Sequence, residues 1–201
     1  MNAPLNGRTQ QYHHGDLRRA LLDHAAAAIS ESGVAKVSLR ELARRAGVSH
    51  AAPTHHFGSR EGLLTALAAQ GFHVLADLMH SAQEQTADFA EMGVAYVQFA
   101  LSHPAHFEVM FQPHLHQVDD PALRAAQQRA GELLYGTPTL PGTGTRDAGI
   151  AAWSLVHGFA TLWLSNALPA EQDTPPEQQA RQAIRAFLDG RNNGSLTAND
   201  G

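Results

Sequence analysis

Arg40, Arg44 and Arg45 fall within one short stretch of the 201-residue chain, and His50, Ala51, Thr54 and His55 open the next. These residue types at this spacing suit duplex DNA. Guanidinium groups bind phosphates and guanine edges, threonine and histidine donate or accept at base edges, and alanine allows close approach. Ser59-Arg60 adds a helix start with a cation beside it, fit for a phosphate because the first backbone N–H groups of a helix are unpaired. A second concentration, His103, His106, His114 and His116, offers metal chemistry instead. His103 and His106 can share a helical face and His114-x-His116 can chelate from a loop, which would make the protein metal-responsive. Pro113 interrupts that geometry, Asp119 is the nearest carboxylate and no cysteine is present, so the expectation is that no metal is held. Catalytic chemistry has no foothold: HExxH, GxSxG and the Glu-x-x-His pair of di-iron bundles are all absent. A helical-bundle enzyme is the least favoured reading, and neither catalytic residues nor a cofactor are expected.

The elements that position the first set follow from local rules. Ser38 is an N-cap, its side-chain oxygen placed to accept from the first turn. Leu39, Leu42, Ala43 and Ala46 then make one apolar stripe at i, i+3, i+4 and i+7. Gly47 supplies the positive φ at which helices end, Val48 plugs the corner, and Ser49 is expected to cap the next helix. Two helices around a short Gly-containing turn form a helix-turn-helix, whose second helix enters the major groove. Pro53 removes an early backbone donor and disfavours helical geometry at Ala52, so this second helix is expected to begin irregularly. Upstream, Asp16 is the N-cap expected for a bracing helix carrying Leu17, Ala20, Leu21, Ala25, Ala28 and Ile29 and ending at Gly33.

His14-Gly15-Asp16-Leu17, Ser38-Leu39-Arg40-Glu41-Leu42-Ala43, Ala46-Gly47-Val48-Ser49 and His56-Phe57-Gly58-Ser59-Arg60-Glu61 together resemble the DNA-binding domain of TetR-type transcriptional repressors. The resemblance implies an all-helical homodimer that binds a palindromic operator in double-stranded DNA and releases it when a small molecule enters the C-terminal domain. The family usually has Tyr where this chain has Thr54, and that Tyr commonly touches the DNA backbone. Thr54 is shorter, so His55 is expected to supply more of the recognition. The DNA-contacting set is then Ser38, Arg40, Ser49, His50, Ala51, Thr54, His55, His56 and Arg60. Within it, Ser38, Thr54 and Arg60 would hold phosphates and Arg40, His50 and His55 would approach bases. Trp153-Ser154-Leu155-Val156-His157-Gly158 is similar to the Trp-x-x-x-His-Gly signature of one TetR C-terminal subfamily, and His103-Pro104 with Met110-Phe111 to that group's upstream element. Repression comes from the resemblance; the residues themselves would serve activation equally.

Charge is divided in the sense this reading needs. Residues 1–60 hold eight Arg and Lys against four Asp and Glu, and the remainder six against fifteen, within a net charge of −5. A basic head on an acidic body suits a protein that meets nucleic acid through one end. The absence of cysteine excludes disulfides and thiolate chemistry and is compatible with a reducing compartment. MNAPLNGRTQQ lacks the apolar core of a signal peptide. The longest apolar run, Ala148 to Leu164, contains Ser154, His157 and Thr161 and is a poor membrane span. A cytoplasmic protein with no membrane partner is expected.

The expected order is a flexible arm at 1–12, from which Arg8, His13 and His14 could reach DNA, then a helix-turn-helix domain at 13–60. A helical effector-binding and dimerisation domain follows at 61–190, and a disordered tail at 191–201. Body helices are predicted from Arg60 to Gln85, from Asp88 to Ser102, from Pro104 to a stop at Pro113, from Pro121 to Tyr135, from Arg146 to Leu168 and from Glu177 to Leu188. Thr137–Thr145 reads as a connector rather than a phosphate cradle. No strand pattern occurs, so the fold class is all-α. The effector pocket is expected between body helices, with Tyr96, Phe99, Phe107, Met110, Phe111, Trp153 and His157 as candidates. The helix from Arg146 is apolar nearly all round and must be buried on more than one face. A partner subunit would supply the second face, with Trp153, Val156, Ala160, Trp163, Ile184 and Phe187 in a four-helix homodimer interface.

Overall fold

The computed structural model describes residues 8–86, 88–136, 146–168 and 174–196, with the backbone alone described for 8–16, 136 and 190–196. Every regular element among them is helical: α1 Arg8–Ser32, α2 Leu39–Ala46, α3 Ala51–Phe57, α4 Arg60–Thr86, α5 Phe89–Ser102, α6 Pro104–Met110, α7 Pro121–Gly131, α8 Arg146–Leu164 and α9 Pro176–Leu196. Short 3-10 turns at Val34–Lys36 and Pro113–Leu115 and a π-helical turn at Glu132–Gly136 join them. The all-α reading of the sequence holds.

Local chemistry accounts for most boundaries. The Ser38 side chain accepts from the Glu41 N–H at 3.3 Å. Gly47 takes φ +66, and the Val48 N–H reaches back to the Ala43 carbonyl at 3.0 Å, closing α2 in the usual left-handed stop. Ser59 caps α4 by accepting from the Gly62 N–H at 3.1 Å, and Asp120 caps α7 by accepting from the Leu123 N–H at 2.8 Å.

Several boundaries depart from expectation. Helix α1 begins at Arg8, so Asp16 lies within it, not at its start, and residues 8–12 are helical where an arm was expected. Gly15 is no barrier, since an interior glycine costs only about 1 kcal/mol relative to alanine. The cap of α3 is His50 rather than Ser49, and no side chain caps it. The reason lies in the first turn: Pro53 at its third position has no N–H to offer, and the Ala52 N–H is taken by the Ser49 carbonyl at 3.0 Å. Helix α6 stops at Met110, and Pro113 opens the following turn instead of ending the helix. Helix α9 continues to Leu196, past the position where the tail was expected to begin. The connector 137–145, part of the linker before α9 and the ends of the chain lie outside the described residues.

The chain divides into two compact units, one comprising Met1–Gly71 with Ala105–Arg124 and the other Phe72–Pro104 with Ala125–Gly201. In the first, α1 packs on α2 and α3 around fully buried Leu21, Ile29, Leu42, Leu63, Leu64 and Leu67. In the second, α5 packs on α8 and α9, with Leu75, Met79, Tyr96 and Phe99 fully buried. Helix α4 contributes to both. It is long and apolar enough to cross a membrane, alone among the described residues in this, but Leu63, Leu64, Leu67 and Leu75 spend that apolar surface on protein core.

Candidate functional site

The head presents one polar surface. Ser38, Arg40, Ser49, His50, Ala51, Thr54 and His55 are exposed around the α2–α3 turn, whereas His56 and Arg60 are half-buried. Pro53 and Phe57, four residues apart, form the buried side of α3. The proline that spoils the cap is thus also a core contact, and it leaves Ala51, Thr54 and His55 facing outward. Phe57 carries the Arg18 guanidinium over its ring at 5.4 Å, which fastens α3 to α1. The rings of His55 and His56 meet edge-on, 5.6 Å between centroids.

The arginines are not equivalent. Glu41 accepts from Arg44 at 2.7 and 2.8 Å and from Arg45 at 3.0 Å, and Arg45 also reaches Glu31 at 2.8 Å. These guanidinium hydrogen bonds, Arg44's foremost, hold the Glu41 carboxyl down at about 2, and the Arg45 contact lowers Glu31 in the same direction. Arg40 is exposed and makes no ion pair among the described residues, so its full charge projects outward. Arg60 points the other way. Its Nε donates to the Val37 carbonyl at 3.0 Å and its Nη2 to the Val34 carbonyl at 2.6 Å, which makes it a brace between α4 and the turn before α2.

The second unit contains a cavity of about 20 Å³, where a single water needs roughly 10–15 Å³ of the same kind of space. Its wall is formed by Met79, by Phe89, Met92, Gly93 and Tyr96 of α5, by Leu134, by Ala152, Trp153, Leu155 and Val156 of α8, and by Ile184, Phe187 and Leu188 of α9. None of these is charged. Gly93 permits the close approach of α5 and α9: a Cβ there would stand 2.7 Å from Ile184 Cδ1. The same seam is clasped by Arg181, which donates to both Glu91 oxygens at 2.6 and 2.8 Å, and by Arg185 against Asp88 at 3.5 Å.

Two of the lining residues, Tyr96 and Trp153, carry polar groups. The Trp153 indole N–H donates to the Tyr96 hydroxyl at 3.2 Å, and the hydroxyl lies 2.8 Å from His157 Nδ1. An indole can only donate, so the phenol oxygen is the acceptor toward Trp153 and its own proton can serve His157. Burial pushes the Tyr96 phenol above its ordinary value and the His157 imidazole below its own. Both groups are neutral near pH 7.

The structure regroups the residues expected to form the pocket. Tyr96 and Trp153 line the cavity, with His157 bonded behind Tyr96. Phe99 is buried and stacks on His103 at 5.2 Å without lining it. Phe107, Met110 and Phe111 belong to the first unit, where Phe107 meets Phe111 edge-on and Met110 packs over Gly71. Of the six residues expected at a dimer face, three are buried and three are half-buried. Val156, Ala160 and Ile184 are buried within the unit, Trp153 and Phe187 line the cavity, and Trp163 is half-buried and stacked on Phe159 at 5.9 Å. The large apolar residues that α8 exposes are Ile150, Leu162 and Leu164. Sequence reasoning missed Met79, Phe89, Met92 and Leu188; Gly93, mid-helix among apolar neighbours, was the available signal of a close helix contact. Three of the four histidines go to separate partners: His106 to Gln70 at 3.2 Å, His116 to the Val109 carbonyl at 2.8 Å, and His103 to Phe99 and Ser102. Among the described residues no three His, Cys, Asp or Glu side chains are placed to hold a metal.

Residues 21–67 match the tetR family of bacterial regulatory proteins, and residues 89–187 match the tetracyclin repressor-like C-terminal domain. The HTH-type transcriptional regulator BetI of Burkholderia mallei is 27% identical over 176 residues, covering 78% of this chain and 85% of its own. A Rhodococcus protein of unknown function has the same fold at TM-score 0.75, with 34% identity over 90% of this chain and 98% of its own. The regulator LfrR of Mycobacterium smegmatis, in complex with proflavine, is similar at TM-score 0.59 and 21% identity, covering 86% of this chain and 94% of its own.

Proposed function

Because this chain belongs to the tetR family of DNA-binding transcriptional regulators, we propose that it is a homodimeric repressor of a palindromic operator, released by a small, largely apolar effector. It is a regulator, not an enzyme. The observation that carries the reading is the division of the arginines on the head. Arg44 and Arg45 are neutralised by Glu41 and Glu31, which leaves Arg40 as the exposed cation beside the outward face of α3. On that face His50, Thr54 and His55 would meet the groove, Arg40 and Ser38 would meet backbone and base edges at its margin, and Ser49 and Ala51 would allow close approach. The pairing face we assign to α8, where Leu162 is 45% exposed on the side of the helix that carries the Phe159–Trp163 stack. Two heads so joined would engage half-sites about 34–36 Å apart, one turn of duplex. The apolar cavity of the second unit is the effector site in this reading, and the proflavine held by LfrR supports a small molecule in a body of this fold.

The test is fluorescence anisotropy of a labelled duplex carrying the DNA beside the protein's own gene, titrated at several salt concentrations. Saturable binding that weakens steeply with salt is expected. Arg40→Ala is expected to weaken it and to reduce the slope of log affinity on log salt by about 1. No saturable binding at low salt would remove the reading.

A further inference from the structure

Resting on the effector site assigned above, we propose that the cavity takes a small, uncharged, single-ring aromatic molecule bearing one hydrogen-bonding group, and that Tyr96 reads that group. Four aromatic side chains, Phe89, Tyr96, Trp153 and Phe187, stand around the space together with the thioethers of Met79 and Met92. Unbranched methionines repack around a guest at little cost and make favourable contacts with ring edges. The space measures about 20 Å³ as it stands, so in this proposal these side chains move to admit one ring. A second ring would have to part α5 from α9, and that seam is held by the Arg181–Glu91 clasp and by the contact of Gly93 with Ile184.

Charge on the guest is excluded by what surrounds it. No lining residue is charged, and Arg181 and Arg185 of α9 are engaged with Glu91 and Asp88 at the start of α5. A buried ion without a counter-charge is strongly disfavoured. Tyr96, fully buried in the wall, holds its hydroxyl in a chain that runs from Trp153 Nε1 through Tyr96 to His157 Nδ1. A guest hydroxyl joining such a chain gains from its polarisation, which a bare hydrocarbon cannot do.

Four probes of one size separate these demands: toluene, p-cresol, 4-methylbenzoate and 4-methylbenzylammonium, each titrated against the full chain at pH 7 while its melting temperature is followed. p-Cresol is expected to bind at least tenfold tighter than either charged probe and tighter than toluene. Tyr96→Phe is expected to bring p-cresol down to the level of toluene while leaving toluene unchanged. If Tyr96→Phe does not fold, the wild-type ranking of neutral against charged probes, and of p-cresol against toluene, still supports or overturns the inference. Equal or tighter binding of a charged probe would overturn it, as would no shift with any of the four, or a p-cresol preference that survives Tyr96→Phe. The same p-cresol titration followed by anisotropy on the duplex separates the two readings. Selective binding that leaves DNA affinity unchanged would remove the effector role and leave the chemistry of the cavity standing.

Discussion

Arg60 donates from Nη2 to the carbonyl oxygen of Val34 at 2.6 Å, and its Nε holds the Val37 carbonyl at 3.0 Å. A residue whose position at a helix start suits phosphate binding is turned onto two backbone acceptors of its own head. Arg60→Ala is expected to destabilise the protein by about 1.5–3 kcal/mol, the range for hydrogen bonds to a charged group. Loss of a phosphate contact would lower the salt slope of DNA binding by about 0.9, and Arg60→Ala is expected to leave that slope unchanged. Urea unfolding and anisotropy across a salt series measure the two quantities separately.

Ser38 and Ser49 look alike as helix starts and differ in the fold. Ser38 accepts from the Glu41 N–H, while Ser49 contributes its carbonyl to Ala52 and no side-chain cap exists on α3. Ser38→Ala is expected to cost about 1 kcal/mol. Ser49→Ala is expected to stay within about 0.5 kcal/mol, as exposed substitutions away from special features do. Equal costs in chemical denaturation would contradict the cap assignment.

Stability should depend on acid through Glu41. Its carboxyl is held at about 2 by Arg44 and Arg45, below the ordinary glutamate value of about 4.3. A carboxyl lowered in the fold contributes stability that is complete above the unfolded value and is lost as pH falls toward the folded one. Glu31 is lowered too and acts with the same sign. Glu41→Gln is expected to melt below wild type at pH 7, with the difference shrinking as pH falls from about 4.3 to about 2. Paired melting curves over that range would show it, and a gap independent of pH would not fit.

Gly93→Ala places a methyl group 2.7 Å from Ile184 Cδ1 and 3.1 Å from Val156 Cγ1. The end of the Ile184 chain can swing aside, and the room available to it is the cavity. Helix propensity gains about 1 kcal/mol against an overpacking cost of about 1–3 kcal/mol. A net loss of about 0–2 kcal/mol is therefore expected, together with loss of p-cresol binding. Calorimetric titration alongside thermal melting tests both, and retained binding would show that Gly93 does not bound the site.

Element by element, the sequence was most legible where its signals are short in range. Ser38, Gly47 and Ser59 mark helix ends through groups no more than five residues away, and the structure uses all three. The cap expected at Ser49 failed for a reason of the same kind, since the Ala52 N–H that its side chain would have bound goes to the Ser49 carbonyl. The pocket residues were legible only as apolar and helical. Phe107 and Met110 carry the same pattern as Tyr96 and Trp153, yet they lie in the other unit. Val156, Ala160 and Ile184 read as a stripe able to face a partner, and they face their own unit.

The order of residues by itself determined the helices, the Gly47 turn, the outward face of α3 and the basic head, because caps, periodicity and charge act over a turn or two of chain. Only the tertiary structure decided where long side chains and apolar faces were spent. Arg60 found carbonyls 23 and 26 residues behind it, and Tyr96 found Trp153 and His157 some 60 residues ahead. A guanidinium or an apolar stripe has no preference among partners of equal chemistry until packing brings one of them within reach.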